Sequence, residues 1–216
     1  MKNIFYILII PVILVSCKDF KKSIDDTLDS QNTVESSQNR AEADSADNTD
    51  VIIEKPVEQP IPFTSQKEKL ELAEKQLRDL NQFAGKSIFI YQFIHFYDDG
   101  RIITKLQNPE NSNYVDEYTY SDGQWQTPKP VVLSKMDDVQ GSLINLDKLP
   151  FRNVTNVYRA LSEKRKEIES HSEDYTIYAG KRRNTIQWYP QSIENERYKY
   201  DIEYHEDGTL KSFEQR

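Results

Sequence analysis

Apolar residues recur at helical spacing in two stretches of the chain. The first begins near Ser65, which has the three-residue spacing to Glu68 of a capping box, and Gly85 offers a stop. The second runs from about 153 to 170, directly after Pro150, a residue that suits a helix start. The apolar positions are Leu70, Ala73, Leu77 and Leu80 in the first stretch and Val154, Val157, Leu161 and Ile168 in the second. Both stretches are predicted to be amphipathic helices.

Strands rich in aromatic and β-branched residues follow each helix, separated by short turns. Asp-Gly pairs at 99–100, 122–123 and 207–208 are typical of tight hairpins. The predicted strands are 87–97, 101–107, 114–120 and 124–126 after the first helix, and 174–179, 185–189, 197–205 and 209–213 after the second. The fold class is therefore predicted to be α+β, with two helix-plus-antiparallel-meander units at 65–134 and 135–216.

The two units share local detail as well as element order. Residues 108–111 precede the strand and turn of 114–123, much as 192–195 precede those of 198–208. An internal repeat would let each sheet bury one face under a helix and leave the other faces as one surface. This element order is similar to that of helix-plus-sheet modules in periplasmic peptidase-inhibitor and β-lactamase-inhibitor proteins, without a shared motif. The similarity implies a fold and no activity.

Residues 1–16 have the pattern of a signal peptide. Lys2 precedes an apolar run that is shorter than the roughly 20 residues needed to span a bilayer. The end of that run, Leu14-Val15-Ser16-Cys17, resembles the lipobox of bacterial lipoproteins. The resemblance implies cleavage before Cys17, the single cysteine of the chain, and attachment of lipid to its thiol. The alternative is an uncleaved anchor helix with an incidental cysteine.

The stretch 17–64 is predicted to be a disordered tether that starts at the lipidated cysteine. Ser, Asp, Asn, Gln and Glu dominate residues 21–50, and so few apolar side chains cannot offset the entropy of ordering. Pro56, Pro60 and Pro62 stiffen its end. About 45 residues of coil span on the order of 35 to 40 Å on average, so the folded part can work away from the membrane. An inert spacer is the alternative.

The formal charge of −8 lies mostly outside the folded part. Residues 65–216 hold 22 Lys and Arg against 25 Asp and Glu, which is nearly balanced. Because nucleic-acid-binding domains carry clear basic patches, this balance argues against a nucleic-acid partner. One compact basic cluster, Lys181-Arg182-Arg183, stands in the second unit. It indicates either contact with an anionic lipid, wall polymer or protein, or a solvated hairpin tip.

Aromatic residues are the main candidates for binding. The folded part holds 12 of the 13 tyrosines and both tryptophans, which combine a large contact area with a polar group. The strand at 88–97 has apolar residues on both sides of its pleat, which predicts a central strand, whereas 197–205 alternates tyrosine with charge and is predicted to be half exposed. The candidate contact residues are Trp125, Trp188, Tyr198, Tyr200 and Tyr204. The alternative is that these side chains build the sheet core.

Few residues point to catalysis, a metal or a cofactor. His95, His171 and His205 lie far apart in sequence and lack metal-ligand spacing. The Asp-Gly turns lack the alternating acidic residues of a calcium loop, and hairpin chemistry explains them. No nucleophile elbow, phosphate-binding loop or Ser-x-x-Lys motif is present. The carboxylates that keep acid–base catalysis open as an alternative are Glu194, Glu196, Glu203 and Glu206.

Together these features predict a noncatalytic, lipid-anchored module of the bacterial cell envelope that binds a protein or a cell-wall partner. The outer membrane of a Gram-negative bacterium is the expected location, in a leaflet that the sequence does not specify. Two other interpretations stay open: a hydrolase of an envelope polymer with carboxylates as acid and base, and an accessory subunit of an envelope machine. No cofactor, metal or nucleic acid is expected.

Overall fold

The structure, a computed structural model, describes residues 60–171 and 176–216. The predicted signal peptide, Cys17 and the predicted tether up to residue 59 lie outside the described residues. Within the described part, the chain forms two α-helices, α1 (Lys67–Arg78) and α2 (Val154–Glu167), and two antiparallel sheets. The predicted α+β class is confirmed, and both helices lie where the apolar periodicity predicts them.

The larger sheet has the strand order β4-β3-β2-β1-β7-β8, with β5 beside β3 and β6 beside β1. Its strands are β1 (Phe89–Phe96), β2 (Ile102–Gln107), β3 (Val115–Ser121), β4 (Gln124–Trp125), β5 (Lys129–Pro130), β6 (Leu143–Asn145), β7 (Ile177–Arg182) and β8 (Thr185–Tyr189). The smaller sheet contains β9 (Ser192–Glu194), β10 (Lys199–Tyr204) and β11 (Leu210–Gln215), in the order β11-β10-β9. The predicted strand 174–179 begins in residues 172–175, which are outside the described residues, and β7 covers 177–182.

Strand β1 lies at the centre of the larger sheet, as its two apolar sides predict. One of its edges pairs with β2, and the other pairs first with β6 and then with β7. Gln92 has a positive φ of 64°, and the register with β2 shifts between Ile90 and Ile94. This bulge lies where the partner on the other edge changes. Because β1 and β7 come from different predicted units, both units contribute to one sheet, and the internal repeat stays a prediction.

One hydrophobic core lies between the helices and one face of the larger sheet. Alternate residues of β1, including Ile90, Ile94 and Phe96, belong to the same buried cluster as the apolar stripes of α1 and α2. The residues Ile193, Ile202 and Tyr204 of the smaller sheet join this cluster. The core face therefore holds both helices and both sheets together.

The folded part begins before the predicted boundary at residue 65. Phe63 is only 6% exposed, its ring packs 6.3 Å from that of Tyr120, and its amide donates to the Asp98 carbonyl at 3.0 Å. The side chain of Thr64 is buried and donates to the Asp98 carboxylate. Phe63 and Thr64 thus belong to the fold, and a single aromatic residue beside prolines gives no periodic signal that could have shown it.

The predicted capping box at the start of α1 is wrong. Gln66 occupies the N-cap position without a side-chain capping bond, and the Ser65 hydroxyl instead donates to the Pro62 carbonyl at 2.7 Å. The hydroxyl is held by the 3-10 turn Phe63–Ser65, which precedes α1. The helix stop predicted at Gly85 is also wrong, because α1 ends at Arg78 with Asp79 at its C-cap, and the 3-10 turn Asn81–Phe83 separates the helix from Gly85.

The segment 131–142 partly covers the other face of the larger sheet. Tyr91 and Val115 are 3% and 1% exposed but do not belong to the hydrophobic core cluster. At one end of the segment, the Val131 amide donates to the Val115 carbonyl of β3. At the other end, the Gly141 carbonyl accepts from Nζ of Lys181, a residue of β7, at 2.8 Å. The segment therefore reaches from β3 to β7 and leaves the rest of this face open.

Candidate functional site

A row of directly paired residues crosses the open face of the larger sheet. The register places His95 of β1 opposite Ile103 of β2 on one side and Tyr178 of β7 on the other. The row continues from Ile103 to Thr119 on β3 and from Tyr178 to Tyr189 on β8. All five residues are half-buried. Since paired residues in a sheet point to the same face, the row is a consequence of register.

The rings of His95, Tyr178 and Tyr189 form one continuous stack. The His95 and Tyr178 ring centres are 5.0 Å apart with planes at 23°, and those of Tyr178 and Tyr189 are 4.4 Å apart with planes at 2°. Their spacing matches the roughly 4.8 Å between neighbouring strands, so the rings stand upright on the sheet. The faces between neighbouring rings are covered, and the stack ends at Tyr189 on the last strand of the sheet.

Phe93 extends this stack toward the segment 131–142. Its ring lies 6.0 Å from Tyr178 in an edge-on arrangement, and the side chain is 40% exposed. The bulge at Gln92 sets its direction, and Gly180 on β7 leaves the space it fills: a Cβ on Gly180 would come within 2.3 Å of the ring. We call Phe93, His95, Tyr178 and Tyr189 the aromatic row.

Two cavities meet at Phe93. One, of about 230 Å³, lies on the β2 side and is also lined by His95, Tyr97, Ile103 and Lys105. The other, of about 470 Å³, lies between Phe93 and the tip of the β7–β8 hairpin, where Lys181 and Arg183 line it with Gly141 of the segment 131–142. The aromatic row is therefore flanked by open space on both sides of Phe93.

The electrostatics of the aromatic row keep His95 neutral. Burial lowers the pKa of His95, and the ammonium of Lys105 lowers it further. Burial also raises the pKa of Tyr178, with a contribution from Tyr189. Both shifts favour the neutral forms of His95 and Tyr178, and the lysine and arginine side chains supply positive charge near the row.

The structure places Trp188 in the core, where it cannot contact a partner. It is 1% exposed, and its Nε1 donates to the Glu206 carbonyl at 2.9 Å. Trp125 is half-buried, and its Nε1 donates to the Ala73 carbonyl of α1 at 2.9 Å. Trp188 faces the helices because alternate residues of β8 do, so its suggested binding role does not fit this position.

The candidate tyrosines lie on the smaller sheet and do not meet the aromatic row. Tyr198 is 50% exposed beside β10, Tyr200 stacks on Phe213 at 5.1 Å, and Tyr204 is 9% exposed in the core. The prediction that β10 is half exposed is confirmed, because buried and more exposed residues alternate toward its end. Tyr204 lies on the buried side, where it packs in the core. Tyr198 remains an isolated exposed ring.

The basic cluster 181–183 divides between two surfaces. Lys181 and Arg183 line the cavity beside Phe93, whereas Arg182 lines a groove of about 310 Å³ between β8 and β10. Arg183 has a positive φ of 57° in the hairpin turn, as expected for a tip residue. The cluster is thus a hairpin tip, and two of its three cations lie beside the aromatic row.

Two of the four carboxylates named for acid–base catalysis, Glu203 and Glu206, have structural partners in the groove between β8 and β10, whereas Glu194 and Glu196 are exposed outside it. Glu203 forms an ion pair with Lys211 at 2.9 Å, and Glu206 Oε1 accepts from the Ile186 amide at 3.3 Å. The latter contact caps the outer edge of β8. The described residues contain no group of three or more His, Cys, Asp or Glu side chains arranged to hold a metal ion.

The sequence did not single out Tyr178 and Tyr189, although Phe93 and His95 share one side of the pleat predicted for 88–97. The missing signal is the pairing of β7 with β1, since register alone brings the rings together.

No protein-family model, curated protein or solved structure matches this chain. In residues 60–171 and 176–216, no helix combines the length and apolar character needed to cross a membrane.

Proposed function

We propose that the protein is a noncatalytic module of the bacterial cell envelope that binds a protein or cell-wall partner through the aromatic row. The observation that carries this proposal is the continuous stack of His95, Tyr178 and Tyr189 on the sheet face opposite the core. Aromatic side chains supply large contact area at low entropic cost, which is why they dominate binding surfaces.

The open face has features that the core does not require. Phe93 is 40% exposed, and Ile103 lies half-buried beside His95 in the same row. Removing such apolar area from water contributes about 25 cal/mol for each Å². A partner that covers the row would gain this contribution without any change in the core.

The anchor belongs to the same proposal. The residues Leu14-Val15-Ser16-Cys17 resemble a lipobox, and the composition of 17–64 predicts a flexible tether. Lipid on Cys17 would hold the module at an envelope membrane, for which we favour the outer membrane of a Gram-negative bacterium. The tether would then set how far the aromatic row can search for its partner.

Site-specific photocrosslinking in intact cells tests the binding face. A benzoylphenylalanine at Thr119, at the end of the row, should give a discrete adduct with a partner. The matched control carries it at Glu163, an exposed residue of α2 on the helical side. Adding Tyr178→Ser and Tyr189→Ser to the first chain should reduce its adduct severalfold. Equal adducts from Thr119 and Glu163, unaffected by the tyrosine changes, would contradict the proposal.

Labelling with a radioactive fatty acid tests the anchor. The wild-type chain should incorporate label and Cys17→Ser should not, because the thiol is the acceptor. A Ser16→Ala chain is the matched control, since alanine keeps a small residue before the cysteine. Equal labelling of the Cys17→Ser chain would disprove the anchor assignment.

A further inference from the structure

The cations beside the aromatic row lack ionic partners. Lys105, Lys181 and Arg183 do not belong to any ion pair formed within residues 60–171 and 176–216. Lys181 is held by a carbonyl, that of Gly141, rather than by an acid. Of the 22 Lys and Arg side chains in residues 65–216, eight form ion pairs within residues 60–171 and 176–216, as Lys211 does with Glu203. What distinguishes Lys105, Lys181 and Arg183 is therefore their place around Phe93.

The two cavities at Phe93 therefore have a positive lining. Their basic residues are Lys105, Lys181 and Arg183, and their one acidic residue is Glu117, which lies opposite Lys105 on β3. His95 adds no charge because burial lowers its pKa. Among the lining residues the cations exceed the acids by three to one, while Asp137 and Asp138 lie next to the lining residues Tyr91 and Gly141 at the edge of these cavities. A ligand of opposite charge fits such a surface.

The geometry of the rings favours a peptide over a sugar. A hexose binds an aromatic residue by lying flat on an exposed ring face. The stack covers both faces of Tyr178 and leaves only the outer face of Tyr189, at the end of the sheet, for such a contact. What the stack exposes is a ridge of ring edges and hydroxyl groups. Peptide backbone carbonyls can accept from such hydroxyls, and apolar side chains can pack beside Phe93.

The row of directly paired residues, which includes His95, Tyr178 and Tyr189 of the aromatic row, sets the length of the ligand. It crosses five strands from Thr119 on β3 to Tyr189 on β8, and four spacings of about 4.8 Å give about 19 Å. An extended chain rises about 3.3 Å for each residue, so about six residues cover the row.

We propose that the partner is a protein, and that it presents an extended segment of about six residues rich in Asp and Glu along the paired residues from Thr119 to Tyr189, so that the segment crosses the aromatic row. This inference rests on the proposed function and names the partner class for the same face. The acidic side chains would contact Lys105, Lys181 and Arg183 around Phe93, while the backbone follows the ridge of rings. Affinity for such a segment should fall as ionic strength rises.

The test is selection from a random dodecapeptide display library by the purified mature chain. The wild type should enrich peptides in Asp and Glu and deplete them in Lys and Arg. The double variant Lys105→Gln/Arg183→Gln should lose this bias and bind the best wild-type peptide about tenfold more weakly, the effect expected from two exposed ionic contacts. Its matched control is Lys148→Gln/Arg152→Gln, which removes two exposed cations beside α1 and should behave as wild type.

The outcomes separate this inference from the proposed function. Enriched peptides without acidic bias, or a bias that survives in Lys105→Gln/Arg183→Gln, would overturn the acidic-peptide assignment. Binding of purified peptidoglycan glycan chains, with no peptide selected, would also overturn it while leaving the aromatic row as a binding face. If neither probe binds and benzoylphenylalanine at Thr119 gives no adduct in cells, both the inference and the proposed function fail.

Discussion

The two faces of the larger sheet use aromatic residues in different ways, and neighbouring residues of β8 show the contrast. Trp188 points into the core, is 1% exposed and bonds to the Glu206 carbonyl. Tyr189 points to the opposite face, where it stacks on Tyr178 and is half-buried. The core face is covered by helices, whereas the open face is covered only in part, by the segment 131–142, and carries the aromatic row. Stability should therefore depend on the first face and binding on the second.

Truncating the two neighbours of β8 should have the largest and most unequal effect. Trp188→Ala removes a buried indole and its hydrogen bond, which should lower the free energy of unfolding by about 3–5 kcal/mol. Tyr189→Ala removes one stacked partner on the open face and should cost about 1 kcal/mol. Urea unfolding followed by circular dichroism measures both, and Trp125 provides a fluorescence signal in each variant.

If the two variants lose comparable free energies of unfolding, the two faces do not differ as proposed, because the open face would then contribute to stability as the core does. If Trp188→Ala does not fold, Trp188→Phe gives the same comparison with a smaller cavity and no indole donor. In binding, the order should reverse: Tyr189→Ala should reduce capture by the open face, while Trp188→Phe should leave it near the wild-type value.

Two glycines repeat the comparison at the level of the backbone. Gly208 has a positive φ of 81°, and a Cβ there would come within 2.6 Å of the Asn153 carbonyl oxygen, so Gly208→Ala should cost about 1–3 kcal/mol. Gly180 does not have a positive φ, and its added Cβ would meet the ring of Phe93 at 2.3 Å and, less closely, the Gln92 carbonyl oxygen at 3.2 Å. Gly180→Ala should cost about 1 kcal/mol or less.

Thermal unfolding gives the stability of both alanine variants, and binding by the open face distinguishes them further. Gly180→Ala should displace the Phe93 ring and weaken binding, whereas folded Gly208→Ala should bind normally. A larger stability loss for Gly180→Ala than for Gly208→Ala would mean that Phe93 is held as rigidly as a core side chain.

Most of the fold follows from periodicity in the sequence. The 3–4 spacing from Leu70 to Leu77 places α1, and the two apolar sides of 88–97 place β1 at the centre of the sheet. The short strands β5, β6 and β9 were not predicted, because two or three residues carry no period. Phe63 was missed for the same reason, as its burial depends on Tyr120, which is distant in sequence.

The candidate site was harder to predict, because pairing between distant strands creates it. Counting tyrosines and tryptophans found the right residue types, but Trp188 and Tyr204 proved to be core residues. Tyr178 and His95 become neighbours only through the pairing of β7 with β1, and no local pattern encodes that register. Lys181 and Arg183 were found because a basic run is visible in sequence, although their place beside Phe93 was not.

The smallest expected effect is a pH dependence that comes from His95. Burial and Lys105 lower its pKa below the ordinary value of 6.5, so the unfolded chain binds this proton before the folded chain does as the pH falls. The stability contributed by neutral His95 is therefore complete above pH 6.5 and is lost as the pH falls below 6.5 toward the folded-state pKa. His95→Gln removes the titration and keeps a planar polar side chain.

Urea unfolding of the wild type and His95→Gln at a series of pH values from about 7.5 to 5 isolates this contribution. Groups shared by both chains, including His171 and His205, cancel in the difference between the two free energies of unfolding. That difference should shift in favour of His95→Gln as the pH falls, while Tyr178 keeps its stack with Tyr189. A difference that stays constant over this range would mean that His95 is as well solvated in the fold as in the unfolded chain, and that the aromatic row is more open to water than its packing indicates.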